Sequence, residues 1–164
     1  MSEETERAEG DAYRAVFLRM HPTGKAVLSL SERSQRQEAR LAEIVGGELG
    51  IPPEDIKVVH EDVDRFGEGN SFSSTPSDAV EENVVITAHK LRDKAQLIAA
   101  SMLEASSDEL RFRNGRWTVE GRDGDGARIQ AVAVRAFGGF EMPEGVEGSL
   151  DAQTTYRIGA AQAA

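Results

Sequence analysis

The chain has no cysteine, which excludes disulfides, a thiolate nucleophile and any iron–sulfur or thiolate-bound metal centre carried by this sequence itself. Aromatic side chains are scarce, with one Trp, two Tyr and six Phe among 164 residues, so any core must be aliphatic and modest. No apolar run approaches the length of a membrane span, and the opening residues are acidic where a secretory signal is basic and then apolar. The expected setting is cytoplasmic, with no membrane span. Positive charge is also in short supply: 19 Lys and Arg stand against 29 Asp and Glu, a formal net charge of −10. A phosphate backbone wants a basic surface, so no nucleic-acid partner is expected. No Gly-x-Ser-x-Gly elbow places a nucleophile, and no glycine-rich loop runs into a lysine as a phosphate cradle does. His21, His60 and His89 sit in unrelated contexts. The best local cluster, His60 with Glu61, Asp62 and Asp64, lacks calcium-loop spacing and reads as a solvated turn rather than a metal site.

The organised part of the sequence begins after an acidic stretch, residues 1–11, which carries five acidic residues and reads as a disordered tail. From Tyr13 to Met20 the alternation of Val16, Leu18 and Met20 predicts a strand. His21-Pro22-Thr23-Gly24 supplies a turn, and Ala26 to Leu30 follows as the second strand of a hairpin. Leu41, Ile44, Val45 and Leu49 then recur at helical spacing, with Gly50 as the C-terminal cap. Ser34 is the best-placed N-terminal cap, with Gln37 three residues on to complete a capping box. Pro52-Pro53 cannot continue the helix and leads into a strand at Ile56 to His60. The longest helix starts near Ser77, capped by Ser77 or Asp78, with a stripe of Val80, Val84, Ala88, Leu91, Ala95, Ile98 and Met102 widened by Val85 and Leu97. Leu110, Phe112, Trp117 and Val119 alternate about Asn114-Gly115, a strong two-residue hairpin signal. Residues 122–126 read as a flexible turn, and Ile129 to Phe137 as a short helix packing Ile129, Val132, Ala133 and Phe137. Residues 141–164 have weak signals and read as poorly structured. The expected fold is α+β, with small mixed or antiparallel sheets packed by two main helices.

Several of these segments, taken in order, resemble a known family. His21-Pro22-Thr23-Gly24-Lys25, Glu43-Ile44-Val45, Glu48 to Ile56 and His89 to Ala95 look like part of the molybdenum-binding large subunit of the xanthine dehydrogenase and aerobic carbon monoxide dehydrogenase family. The resemblance runs from about Val16 to Phe137, so residues 12–140 are taken as the molybdopterin-binding-subunit-like domain. It implies an oxidoreductase system in which a large subunit holds a molybdopterin-type cofactor and oxidises its substrate with oxygen taken from water. Separate flavin and iron–sulfur subunits then carry the electrons away.

The resemblance also implies site residues. The family's cofactor loop has the form Gly-Gln-Gly-His followed by Glu, and falls here on Ser34-Gln35-Arg36-Gln37-Glu38. Gln35 keeps the amide and Glu38 the carboxylate, while both glycines, which allow close backbone approach, are replaced. The family's second loop, before the long helix, falls near Gly69 to Pro76 without its arginine, leaving Ser73, Ser74 and Thr75 as candidate anion-holding hydroxyls. Acidic residues at Asp78, Glu81 and Glu82 favour the helix dipole but repel a pyrophosphate. The glutamate the family uses to activate water has no counterpart context here, so no catalytic residue is assigned. The cofactor is expected only together with other chains or segments, the remaining molybdenum-binding, flavin and iron–sulfur subunits being the implied partners. The chain then reads as a partial subunit, a natural one or a truncated gene product, inactive alone. The alternative is a scaffold or interaction domain that kept the fold and lost the cofactor.

Overall fold

The computed structural model describes residues 12–31, 37–60, 77–122, 124, 126–139 and 141–158. In chain order the elements are β1 (Ala12–Met20), β2 (Ala26–Leu30), α1 (Glu38–Leu49), β3 (Ile56–His60), α2 (Ser77–Met102), β4 (Leu110–Arg113), β5 (Arg116–Val119), β6 (Gly126–Arg128), α3 (Ile129–Gly138) and β7 (Leu150–Ile158). Two sheets result, one of four strands in the order β3-β2-β1-β7 and one of three in the order β4-β5-β6. This is the α+β architecture of small mixed and antiparallel sheets expected from the sequence.

Strands β1 and β2 pair antiparallel, with Val16 opposite Leu30 and Met20 opposite Ala26. Gly24, at φ 92°, makes the turn between them without the penalty a side chain would bring. The strand alternation puts Val16, Leu18, Met20, Ala26, Leu28 and Leu30 on one fully buried face. Strand β3 lies parallel to β2. A parallel pair cannot be joined by a hairpin, so the chain must cross over the sheet, and α1 is that crossover. It ends at Gly50, which adopts the left-handed conformation and donates its N–H to the Gly46 carbonyl.

Helix α2 covers the buried face along its length. Its Val84-Val85-Ile86-Thr87 run is β-branched, and each such residue costs up to about 0.7 kcal/mol relative to alanine in a helix. Val80, Val84, Leu91 and Ile98 are fully buried, however, and each returns about 1.5–3 kcal/mol for a large aliphatic side chain. Packing therefore outweighs propensity. The buried Thr87 hydroxyl donates to the Asn83 carbonyl, and its oxygen lies 2.7 Å from Thr154 Oγ1 on β7. Lys90 Nζ also reaches Thr154 Oγ1 at 3.1 Å, so the polar groups under α2 are satisfied.

The three-stranded sheet is amphipathic. Asn114 and Gly115 both take positive φ, 50° and 76°, as the tight hairpin between β4 and β5 requires. Phe112 pairs with Trp117 across the strands, and Trp117 with Ala127. The fully buried Trp117 donates its indole N–H to Gln96 Oε1 on α2 at 3.2 Å, and Arg92 lies 4.8 Å over the Phe112 ring. These contacts fasten the small sheet to the long helix.

Five expectations need correction. The cap of α1 is Gln37, without a side-chain cap hydrogen bond, so Gln37 does not hold the third helical position of a Ser34 capping box. Leu97 is 47% exposed and does not widen the packed stripe. Phe137 is 70% exposed, because the inward turn of α3 is taken by Ala136. The 122–126 turn ends in a third strand, β6. After residue 140 the chain is not without regular structure: β7 pairs with β1 along its whole length, from Leu150 opposite Met20 to Ile158 opposite Ala12. Its inward residues, Leu150, Ala152, Thr154, Tyr156 and Ile158, do alternate, but Ala and Thr carry too little hydrophobic contrast to announce a strand.

Candidate functional site at the strand ends

Because β2 and β3 are parallel, their C-terminal ends lie at one edge of the sheet, with Leu30 opposite His60. The chain leaves that edge twice, and each time the next described element is a helix beginning there. Ligands of open α/β arrangements bind outside the carboxyl ends of strands for this reason: helix N-termini present free N–H groups and a positive dipole end.

Side-chain contacts show that the two helix starts are neighbours. Arg40, in the first turn of α1, donates to Glu81 Oε1 in the first turns of α2 at 3.2 Å. Glu38 Oε1, at the very start of α1, lies 2.7 Å from His60 Nε2 at the end of β3. The His60 side chain is 15% exposed and that of Glu38 43%, so the pair sits at the rim of the edge with the carboxylate facing outward. Ser31 closes β2 by accepting the Ala15 N–H on its hydroxyl at 2.8 Å. On β1, Arg14 occupies the core face next beyond the Val16–Leu30 pair and is 3% exposed. Its position places a guanidinium inside the layer at this same edge.

Of the residues expected to form a site, Glu38 is at the edge and is described in full. Gln35, Ser73, Ser74 and Thr75 lie outside the described residues, as do Arg36 and the acidic neighbours of His60 at 61, 62 and 64. The described residues flanking both stretches, Ser31 and Gln37, His60 and Asp78, belong to this one edge. Sequence reasoning missed one of its members and one of its contacts. Arg14 was legible as a lone cation at an inward position of the Arg14-Val16-Leu18-Met20 alternation. The Glu38–His60 contact had no signal, since it joins residues 22 apart in sequence.

The donor set suits an anionic, hydrogen-bonding group. Two of the carboxylates at the helix starts are engaged, Glu81 by Arg40 and Glu38 by His60, which reduces the repulsion an incoming phosphate would meet from them. Among the described residues no group of three or more His, Cys, Asp or Glu is placed to hold a metal ion directly.

Comparison with known proteins identifies the family. The carbon monoxide dehydrogenase large chain of Hydrogenophaga pseudoflava is 31% identical over 142 residues, covering 85% of this chain and 17% of the relative. The 6-hydroxypseudooxynicotine dehydrogenase complex subunit gamma of Paenarthrobacter nicotinovorans is 34% identical over 106 residues, 64% of this chain and 13% of that one. A crystal structure of Cu,Mo-CO dehydrogenase in its carbon monoxide reduced state superposes with a TM-score of 0.72 at 25% identity, over 94% of this chain and 23% of its own. This chain spans less than a quarter of each of these proteins. With the profile of the molybdopterin cofactor-binding domain matching residues 2–164, the chain belongs to that family, as a partial counterpart of the large subunit of the carbon monoxide and xanthine dehydrogenases.

Proposed function

We propose that this chain is a noncatalytic part of a molybdenum hydroxylase, contributing one wall of a molybdopterin-type cofactor pocket that other segments or chains complete. The observation that carries this reading is the adjacency of the N-terminal turns of α1 and α2 at the ends of parallel strands, fixed by the Arg40–Glu81 and Glu38–His60 contacts. When bound, the cofactor would supply the two-electron oxidation of a substrate with oxygen taken from water. This chain's own residues would only hold it. Gln35 would donate its amide, Ser73, Ser74 and Thr75 would offer hydroxyls to an anionic group, and Glu38 would accept an N–H of the cofactor. Arg14 would add positive charge behind them. The remaining molybdenum-binding, flavin and iron–sulfur subunits are the partners this function requires.

Tagged protein purified from its own cells, with metal analysis and identification of co-purifying chains, tests this. The expected result is molybdenum in near-stoichiometric amount together with a chain supplying the missing segments. Metal-free protein with no such chain would sink the proposal and leave a cofactor-less descendant of the subunit. A Glu38→Ala, Gln35→Ala double variant should keep its fold and lose most of its molybdenum.

A further inference from the structure

At the opposite end of the molecule, the outer face of the small sheet carries a row of arginines. Arg113 on β4 is directly opposite Arg116 on β5, and Arg116 is directly opposite Arg128 on β6. Directly paired residues share a face of a sheet, so the three cations stand side by side. Like charges directly opposite one another destabilise a sheet.

Among the described residues the surroundings do not relieve this in the usual way. Five other arginines of this chain form ion pairs: Arg19 with Asp151, Arg40 with Glu81, Arg92 with Glu48, Arg111 with Glu120 and Arg135 with Glu141. Among the described residues, none of the three in the row has a carboxylate partner, in a chain with ten more acidic than basic residues. Arg116 donates instead to the Gly124 carbonyl at 3.1 Å. It lies across Gly126, where a Cβ would come within 2.2 Å of its Nε, so the glycine is what lets the guanidinium lie flat on the sheet. The row lines a cleft of about 480 Å³ that also takes in Gln130 and the Asn114–Gly115 turn. Helix α3 starts beside this cleft without a side-chain cap, its first N–H, that of Ile129, donating to the Gly115 carbonyl at 2.9 Å.

We propose that this cleft is a binding site for a soluble phosphate-bearing anion, gripped by Arg113, Arg116 and Arg128 and seated against the start of α3. Arginine suits such a ligand because its planar fork meets two phosphate oxygens at once. A ligand carrying two phosphates would neutralise the row and remove the cross-strand repulsion. The site is separate from the strand-end edge, and the proposal does not rest on the cofactor reading.

Calorimetry and thermal melts of the full chain with inorganic pyrophosphate at about 0.15 M salt test it. The expected result is saturable binding with a rise in melting temperature, both weakened at least tenfold in an Arg113→Gln, Arg128→Gln double variant. That variant, without ligand, should melt no lower than the parent, because it relieves repulsion between exposed groups. Gly126→Ala should weaken binding too, by displacing Arg116. Glu38→Ala should leave pyrophosphate binding unchanged, which separates this site from the other. Absence of binding, or binding equal in parent and double variant, would overturn the proposal. So would binding that emerges only when the neighbouring Asp123 and Asp125 are both changed to Asn, since those carboxylates would then already neutralise the row. Association with vesicles containing phosphatidylserine but not with free pyrophosphate would overturn the assignment to a soluble ligand.

Discussion

At the scale of single residues, Gly50 has the least freedom to change. It takes φ 71°, which most side chains resist, and a Cβ built on it would lie 1.9 Å from the Gly115 nitrogen. The end of α1 and the β4–β5 turn therefore meet backbone to backbone, and neither side of that contact has a flexible end to give way. Gly50→Ala is expected to lower stability by roughly 3 kcal/mol or more, since a strained backbone and a clash act together. Gly47→Ala, in the same helix with open space around its Cβ, should stabilise by about 0.5–1 kcal/mol. Thermal melts of the two variants beside the parent check both signs.

At the scale of elements, β7 determines whether the large sheet is complete. It flanks β1 over nine residue pairs and supplies Thr154 to the polar contact beneath α2. Without it β1 would become a long exposed edge with its outer row of N–H and C=O groups unpaired, a template for aggregation. Leu150 and Ile158, both 1% exposed, would leave the core with it. Ending the chain after Ser149 is thus expected to give insoluble or molten protein with no cooperative melt, read by calorimetry and near-ultraviolet circular dichroism. The small sheet is held differently, by Trp117 against α2, and its outer basic face borders an open cleft.

At the scale of the whole molecule, charge is segregated. The net charge is −10, yet one face of the small sheet is basic. Long-range repulsion of a polyanion follows the total, while a small anion in a cleft responds to the local field. Duplex DNA is accordingly expected to show no shift in an electrophoretic assay at about 0.15 M salt, where the Debye length is about 8 Å. No described helix is long and apolar enough to cross a membrane. The fold superposes on a far larger relative while matching less than a quarter of its length.

The amino-acid sequence by itself determined the local elements whose side chains contrast strongly with their neighbours. The β1–β2 hairpin, both long helices, the Asn114–Gly115 turn and the family were all legible, because period, turn chemistry and caps act between residues close in the chain. The tertiary structure alone decided the rest. Strand β7 joined β1 because its weakly apolar alternation gains burial only when a partner strand 130 residues away supplies the register, with Asp151 opposite Arg19. Phe137 turned outward, 70% exposed, while the neighbouring Ala136 took the buried position on α3. The strand-end edge, with Arg14, Glu38 and His60, and the arginine row, with Arg113, Arg116 and Arg128, are both assembled across strands. Local spacing encodes only the Arg113–Arg116 pair, across the two-residue turn; the rest depends on pairing register between distant segments, which is settled only when the core is packed.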